Sequence, residues 1–144
     1  MLRNTKNTRP HILVVDDEPD FVAYVKTVLE EDGFKVTIAF DGEEALSCVR
    51  EMPPDLVTLD IDMPRKTGVL FYRQMKSEPR LRSIPVIVVT GLRQASDYAG
   101  PFVERFFEVG RLPLPEAYLD KPVGRDELLS VVRGKLAVTE AAVQ

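Results

Sequence analysis

The chain has 144 residues, 44% of them hydrophobic and 29% charged, which fits one globular domain of roughly 150 residues and leaves no room for a separate DNA-binding or catalytic module. A formal charge of −4 gives no basic excess for nucleic acid or an anionic membrane, and a single cysteine, Cys48, excludes an intramolecular disulfide or a multi-cysteine metal site. The early apolar run Ile12 to Val15 stops at Asp16-Asp17-Glu18, too short for a signal-peptide core or a membrane span, so the expected location is cytoplasmic.

Residues 1–10, with Arg3, Lys6 and Arg9 among polar residues, read as a flexible basic tail. From His11 short apolar runs alternate with amphipathic stretches. Five strands are expected: Ile12 to Val15, Phe34 to Ala39, Leu56 to Leu59, Ile84 to Val89 and Ala117 to Leu119. The second reads as half-buried, and most of the others are continuously apolar, as strands covered on both faces are. Between the first two, Phe21, Val22, Val25, Val28 and Leu29 fall at helical spacing, and Gly33 marks the stop. Asp41 is the expected N-cap of a second helix that places Ala45, Leu46 and Val49 inward and ends at Pro53-Pro54. A third helix is expected from about Val69 to Lys76, and a last one from about Asp126 to Leu136, followed by a flexible tail over 137–144. Strand–helix alternation with right-handed crossovers gives an α/β three-layer sandwich, in which ligands bind beyond the carboxyl ends of the strands.

The strand ends carry the chemistry. The first run ends at Asp16-Asp17, the third at Asp60, the fourth at Thr90 and the fifth at Asp120-Lys121-Pro122. In a parallel sheet these ends share one edge, so Asp16, Asp17, Asp60, Thr90 and Lys121 converge. Three carboxylates in one cleft repel one another, and each tends to hold a proton unless a cation relieves the repulsion; all-oxygen ligands point to Mg²⁺. The three carboxylates and Lys121 leave two negative charges in excess, which a divalent ion cancels. Asp60 is then free to attack an electrophilic phosphorus, with the metal, an ammonium and a hydroxyl supplying positioning and neutralisation. Taken singly, Asp60 reads as a loop acid and Lys121 as a solvated lysine, and Tyr118 reads equally as a packed or a moving aromatic; the coincidence of Asp16-Asp17, Asp60 and Lys121 on one edge carries the argument.

With Asp16-Asp17, Asp60 followed by Met63-Pro64 and Gly68, then Thr90 and Lys121-Pro122 in that order, the chain from about His11 to Leu136 resembles a response-regulator receiver domain of two-component signalling, of the single-domain chemotaxis-regulator kind. The resemblance implies a five-stranded parallel sheet of flavodoxin-like order 2-1-3-4-5. It implies Asp60 as phosphoacceptor and Asp17 as metal ligand, Asp16 acting through a metal-bound water, and the Asp62 backbone carbonyl completing the metal shell. The Asp62 side chain and Leu92 match positions that tune phosphate loss. Thr90 matches the switch hydroxyl, Lys121 the phosphate-pairing ammonium and Tyr118 the aromatic that swings inward. The Lys121-Pro122 bond is usually cis in this family. The implied partners are a sensor histidine kinase or histidine phosphotransfer protein, and a downstream protein target on the 91–136 face. The implied state is a monomer or a phosphorylation-linked dimer, without nucleic acid or membrane. Catalysis is expected only of the chain's own phosphorylation and dephosphorylation.

The interval from Thr90 to Lys121 is longer than usual for that family, which puts an enlarged fourth crossover over 91–115, with Phe102, Val103, Phe106 and Phe107 on one face of a short helix opened by Pro101. No output domain is expected after Leu136. Asp60-Ile-Asp62 also resembles the Asp-x-Asp of haloacid-dehalogenase-like phosphatases, against which stand Pro64 and the motif's position after the third strand. A receiver-like interaction module that is never phosphorylated is the other alternative, and the intact acidic set argues against it. His11 reads as partly exposed and is not assigned as a phosphate donor; Cys48 reads as a small packed residue.

Overall fold

The computed structural model describes residues 9–61, 67–91 and 113–143, with side chains undescribed at 67 and over 138–143. Its elements are β1 (His11–Val15), α1 (Pro19–Glu31), β2 (Lys35–Ala39), α2 (Gly42–Glu51), β3 (Leu56–Leu59), α3 (Thr67–Ser77), β4 (Val86–Thr90), β5 (Ala117–Asp120) and α4 (Arg125–Val143). All strand pairings are parallel and the sheet order is β2-β1-β3-β4-β5, as the family resemblance implies.

Successive strand side chains point to opposite faces, and both faces of this sheet are covered. Leu13, Val15, Val57, Leu59, Val86 and Val88 pack with Ala45 and Val49 of α2 and Phe71, Tyr72 and Met75 of α3. Ile12, Val14, Leu56, Ile87 and Val89 pack on the other side with Val22, Val25, Val28 and Leu29 of α1 and Leu128, Leu129 and Val132 of α4. Each fully buried Val, Leu or Ile contributes about 2 kcal/mol. Dense apolar runs in β1, β3 and β4 therefore fix the sheet's centre, and the partly exposed β2 and β5 form its edges.

Local chemistry sets the boundaries. The Asp41 carboxylate caps α2 by accepting from the Glu44 N–H at 2.7 Å. Gly33, at φ 91°, closes α1: its N–H donates to Glu30 O, and the Phe34 N–H donates to Leu29 O. That bond takes Phe34 out of the ladder, so β2 begins at Lys35. β4 begins at Val86 because Pro85 has no N–H and the Ile84 carbonyl is taken by Lys76. β5 is a half-buried edge. The last helix continues to Val143, beyond the expected stop at Leu136 and through most of the expected flexible tail, since Ala137, Glu140, Ala141 and Ala142 favour helix and no proline interrupts them.

Two groups hold the opposite edge of the sheet. Lys76 is only 2% exposed, and its ammonium donates to the carbonyls of Arg82 and Ile84 at 3.0 and 2.7 Å, tying α3 to the turn before β4. Burial lowers its pKa, opposed by the charge of Glu116. His11 is half-buried; its N–H donates to Asp55 and its Nε2 meets the Thr37 hydroxyl at 2.7 Å. Burial and then Lys35 hold the imidazole pKa down. Cys48 is half-buried, with its thiol pushed up first by burial, and it packs as expected.

Candidate functional site

The ladder runs one residue past three strand ends, and those residues form the site. The Asp16 N–H donates to Ala39 O at 3.1 Å, the Asp60 N–H to Val15 O at 2.9 Å and the Lys121 N–H to Thr90 O at 3.1 Å. Parallel register thus locks the backbones of Asp16, Asp60 and Lys121 at the carboxyl edge. Asp16 and Asp60 are 2% and 1% exposed, and Asp17 is intermediate. Carboxylate oxygens of Asp16, Asp17 and Asp60 lie within 4.8 Å of one another, the one such cluster of three among the described residues.

The Lys121 ammonium crosses this cluster. Its Nζ lies 2.9 Å from Asp16 Oδ2, 3.4 Å from Asp60 Oδ2 and 2.6 Å from Glu18 Oε1, and 4.5 Å from the centre of the Phe21 ring. Burial pushes the Asp16 carboxyl above the ordinary carboxylate range; Lys121 and the Glu18 N–H, which donates to Asp16 Oδ1 at 2.9 Å, work against the rise. Burial would lower the Lys121 pKa, but the hydrogen bonds to Glu18 and Asp16 and the charge of Asp60 outweigh it and raise it above the ordinary lysine value. The Lys121-Pro122 peptide is cis.

The structure brings Asp16, Asp17, Asp60 and Lys121 together. Thr90 ends β4 fully buried on the same edge, with Asp120 opposite it in register. Tyr118 lies three residues before Lys121, opposite Val88, packed partly buried against the α2–α3 core. Asp62, Leu92 and most of the 91–115 segment, Phe102, Val103, Phe106 and Phe107 included, lie outside the described residues. Sequence reading missed Glu18 and Phe21 as partners of Lys121. Glu18 read only as one member of an acidic run at a helix start, and Phe21 as one apolar residue of α1. Only the turn geometry places them over the site.

The donor set suits a hard divalent cation: three carboxylates, two of them buried, with no thiolate or imidazole among them, and Asp17 reaching water at the rim.

A sequence model of the response regulator receiver domain matches residues 12–133. The protein Rrf1 of Nitratidesulfovibrio vulgaris is 34% identical over 128 residues, covering 88% of this chain and 82% of Rrf1. PilH of Pseudomonas aeruginosa is 32% identical, covering 88% of this chain and 97% of PilH. The chain spans about half the length of other curated relatives, among them the DNA-binding response regulator MtrA of Mycolicibacterium smegmatis, of which it covers 53%. Among solved structures, a CheY-like receiver domain protein of Methanospirillum hungatei JF-1 superposes with a TM-score of 0.79 at 27% identity, covering 94% of this chain and 99% of that one. Fold, ordered motifs and relatives agree, and the chain belongs to the response regulator receiver domain family.

Proposed function

We propose that Asp60 accepts a phosphoryl group from a sensor histidine kinase or histidine phosphotransfer protein, and that the modification switches a protein-binding surface. The observation that carries this reading is the clustering of the Asp16, Asp17 and Asp60 carboxylates within 4.8 Å, with Lys121 Nζ 3.4 Å from Asp60. An Asp60 oxygen attacks the phosphorus of a phosphohistidine; the new O–P bond forms as the N–P bond breaks, and the leaving imidazole nitrogen takes a proton from solvent. Loss of the phosphoryl group is the attack of water on the same phosphorus, which returns Asp60 and inorganic phosphate.

Asp16, Asp17, Asp60 and the Asp62 backbone carbonyl would hold Mg²⁺, which when bound neutralises carboxylate and phosphoryl charge. Lys121 pairs with a phosphoryl oxygen and Thr90 donates its hydroxyl to another, so both follow a group of about −1.5 to −2 charge. Their movement draws the loops after β4 and β5 inward, and Tyr118 takes up the space that Thr90 leaves. The equilibrium shifts toward a state that presents the 91–136 face to a downstream protein. The site calls for no nucleic acid or membrane, and among the described residues no helix is long and apolar enough to cross one; a cytoplasmic location is part of this reading.

Incubation with acetyl phosphate and Mg²⁺ is expected to add one phosphoryl group per chain by intact mass, and none once Mg²⁺ is chelated. Catalytic turnover of small phosphomonoesters in place of stoichiometric labelling would overturn the proposal in favour of a phosphatase.

A further inference from the structure

We infer that Glu18 is a positioning residue for Lys121, holding the ammonium in the unmodified state in competition with the phosphoryl group on Asp60; this rests on Asp60 being the phosphoacceptor. Glu18 is the N-cap residue of α1, yet its side chain makes no capping bond. Capping is the role of shorter side chains such as Asp, Asn, Ser and Thr, and the longer Glu18 is left to reach elsewhere. Here it turns away from the helix and reaches Lys121 at 2.6 Å, closer than Asp16 at 2.9 Å or Asp60 at 3.4 Å.

An ammonium has three N–H donors, and three carboxylates face this one. A phosphoryl oxygen on Asp60 inherits that residue's long 3.4 Å contact, and gains a close hold on Lys121 as a second acceptor lets go. Asp16 is fixed, since it is buried, with its backbone in the ladder and its Oδ1 held by the Glu18 N–H. Asp60 carries the new group, whose oxygens take the place of its carboxylate before Lys121. The Glu18 side chain is 61% exposed, against 3% for Asp16 and 1% for Asp60, so water can replace its partner when it lets go. Glu18 also places a further negative charge beside the position an anion must take. Both effects oppose the phosphoryl group, and removing Glu18 favours it. Exposure limits the size: a solvent-screened pair of this kind is worth a few-fold in affinity, not orders of magnitude.

The two ligands of the site respond in opposite directions, which a merely structural role for Glu18 would not produce. Mg²⁺ is attracted by the Glu18 charge, whereas an anionic phosphoryl mimic is repelled by it and deprived of Lys121. Calorimetric titration of the full chain with Mg²⁺ alone, then with beryllofluoride at saturating Mg²⁺, separates them. Glu18→Gln is expected to bind beryllofluoride about threefold tighter than wild type and Mg²⁺ more weakly. Glu18→Asp keeps the charge but is one methylene shorter; it is expected to follow Glu18→Gln on beryllofluoride and wild type on Mg²⁺. Equal or weaker beryllofluoride binding by Glu18→Gln overturns the inference, as does a Glu18→Asp variant that matches wild type on beryllofluoride, which would leave only a diffuse field effect. Failure of wild type itself to bind beryllofluoride with Mg²⁺ present overturns the phosphoacceptor reading instead, and this inference with it.

Discussion

Asp60→Asn is expected to bring labelling by acetyl phosphate down to background while the fold stands. The amide is isosteric with the carboxylate, and its carbonyl oxygen still accepts from Lys121, so the 1%-exposed pocket keeps its shape. Two things are lost. The amide oxygen is a poor nucleophile toward phosphorus, and one of the three clustered carboxylates loses its charge. Mg²⁺ affinity is therefore expected to fall about tenfold, equivalent to about 1.4 kcal/mol, because ligand charge sets much of the affinity for a hard cation. Intact mass and Mg²⁺ titration check the two effects separately. Full labelling of this variant would show that the phosphoryl group goes elsewhere.

Lys121→Ala acts on the same cluster from the cationic side. Its ammonium is the compensating charge between Asp16 and Asp60, whose side chains are 3% and 1% exposed. Taking it away leaves buried carboxylates facing one another, and the metal-free fold is expected to lose about 3 kcal/mol at pH 7. The exposed contact to Glu18 adds nothing to that figure. The pH dependence has a defined sign. Burial already raises the Asp16 pKa in the folded state, and Lys121 opposes the rise, so without Lys121 it climbs further. Above the unfolded carboxylate pKa the folded variant then binds more protons than the unfolded chain, and its stability falls as pH rises through that window. Denaturant unfolding in chelator is expected to show the variant recovering stability as pH is lowered from 7 toward the ordinary carboxylate range, and Mg²⁺ is expected to restore part of it at pH 7. Acetyl phosphate labelling should drop about a hundredfold, the usual consequence of losing one preorganised charge contact to a transferring group. Unchanged stability across pH and Mg²⁺ would mean that Lys121 does not compensate the cluster.

Much of this was legible in the sequence, for reasons that differ from element to element. Ile12 to Val15 and Leu56 to Leu59 are apolar on both faces because helices cover both, and that continuity marks central strands. Asp16, Asp60 and Lys121 follow strand ends and Thr90 closes β4, so a parallel sheet alone gathers them, and bonds such as Asp60 N–H to Val15 O show the register doing so. The strand order was not legible from periodicity. Apolar stripes on α1 and α2 have the same form, yet they cover opposite faces, and only the family resemblance supplied the order. Residues whose environment is set by a turn escaped. Glu18 looks like one acid of a helix-start run and is spent on Lys121, Lys76 looks like a helix-end surface charge and is buried on two carbonyls, and Phe34 looks like strand and closes a helix. The end of α4 escaped for a different reason: its last turns lack the apolar stripe that marks a packed helix and rest on helix propensity.

The most direct test of the whole account is chemical identification of the modified residue. Borohydride reduces an acyl phosphate of aspartate to homoserine, so wild-type protein treated with acetyl phosphate and Mg²⁺, reduced and mapped by peptide mass spectrometry, should carry homoserine at position 60 and keep aspartate at positions 16 and 17. Homoserine at another aspartate, or a labelled chain in which residue 60 is untouched, would contradict it.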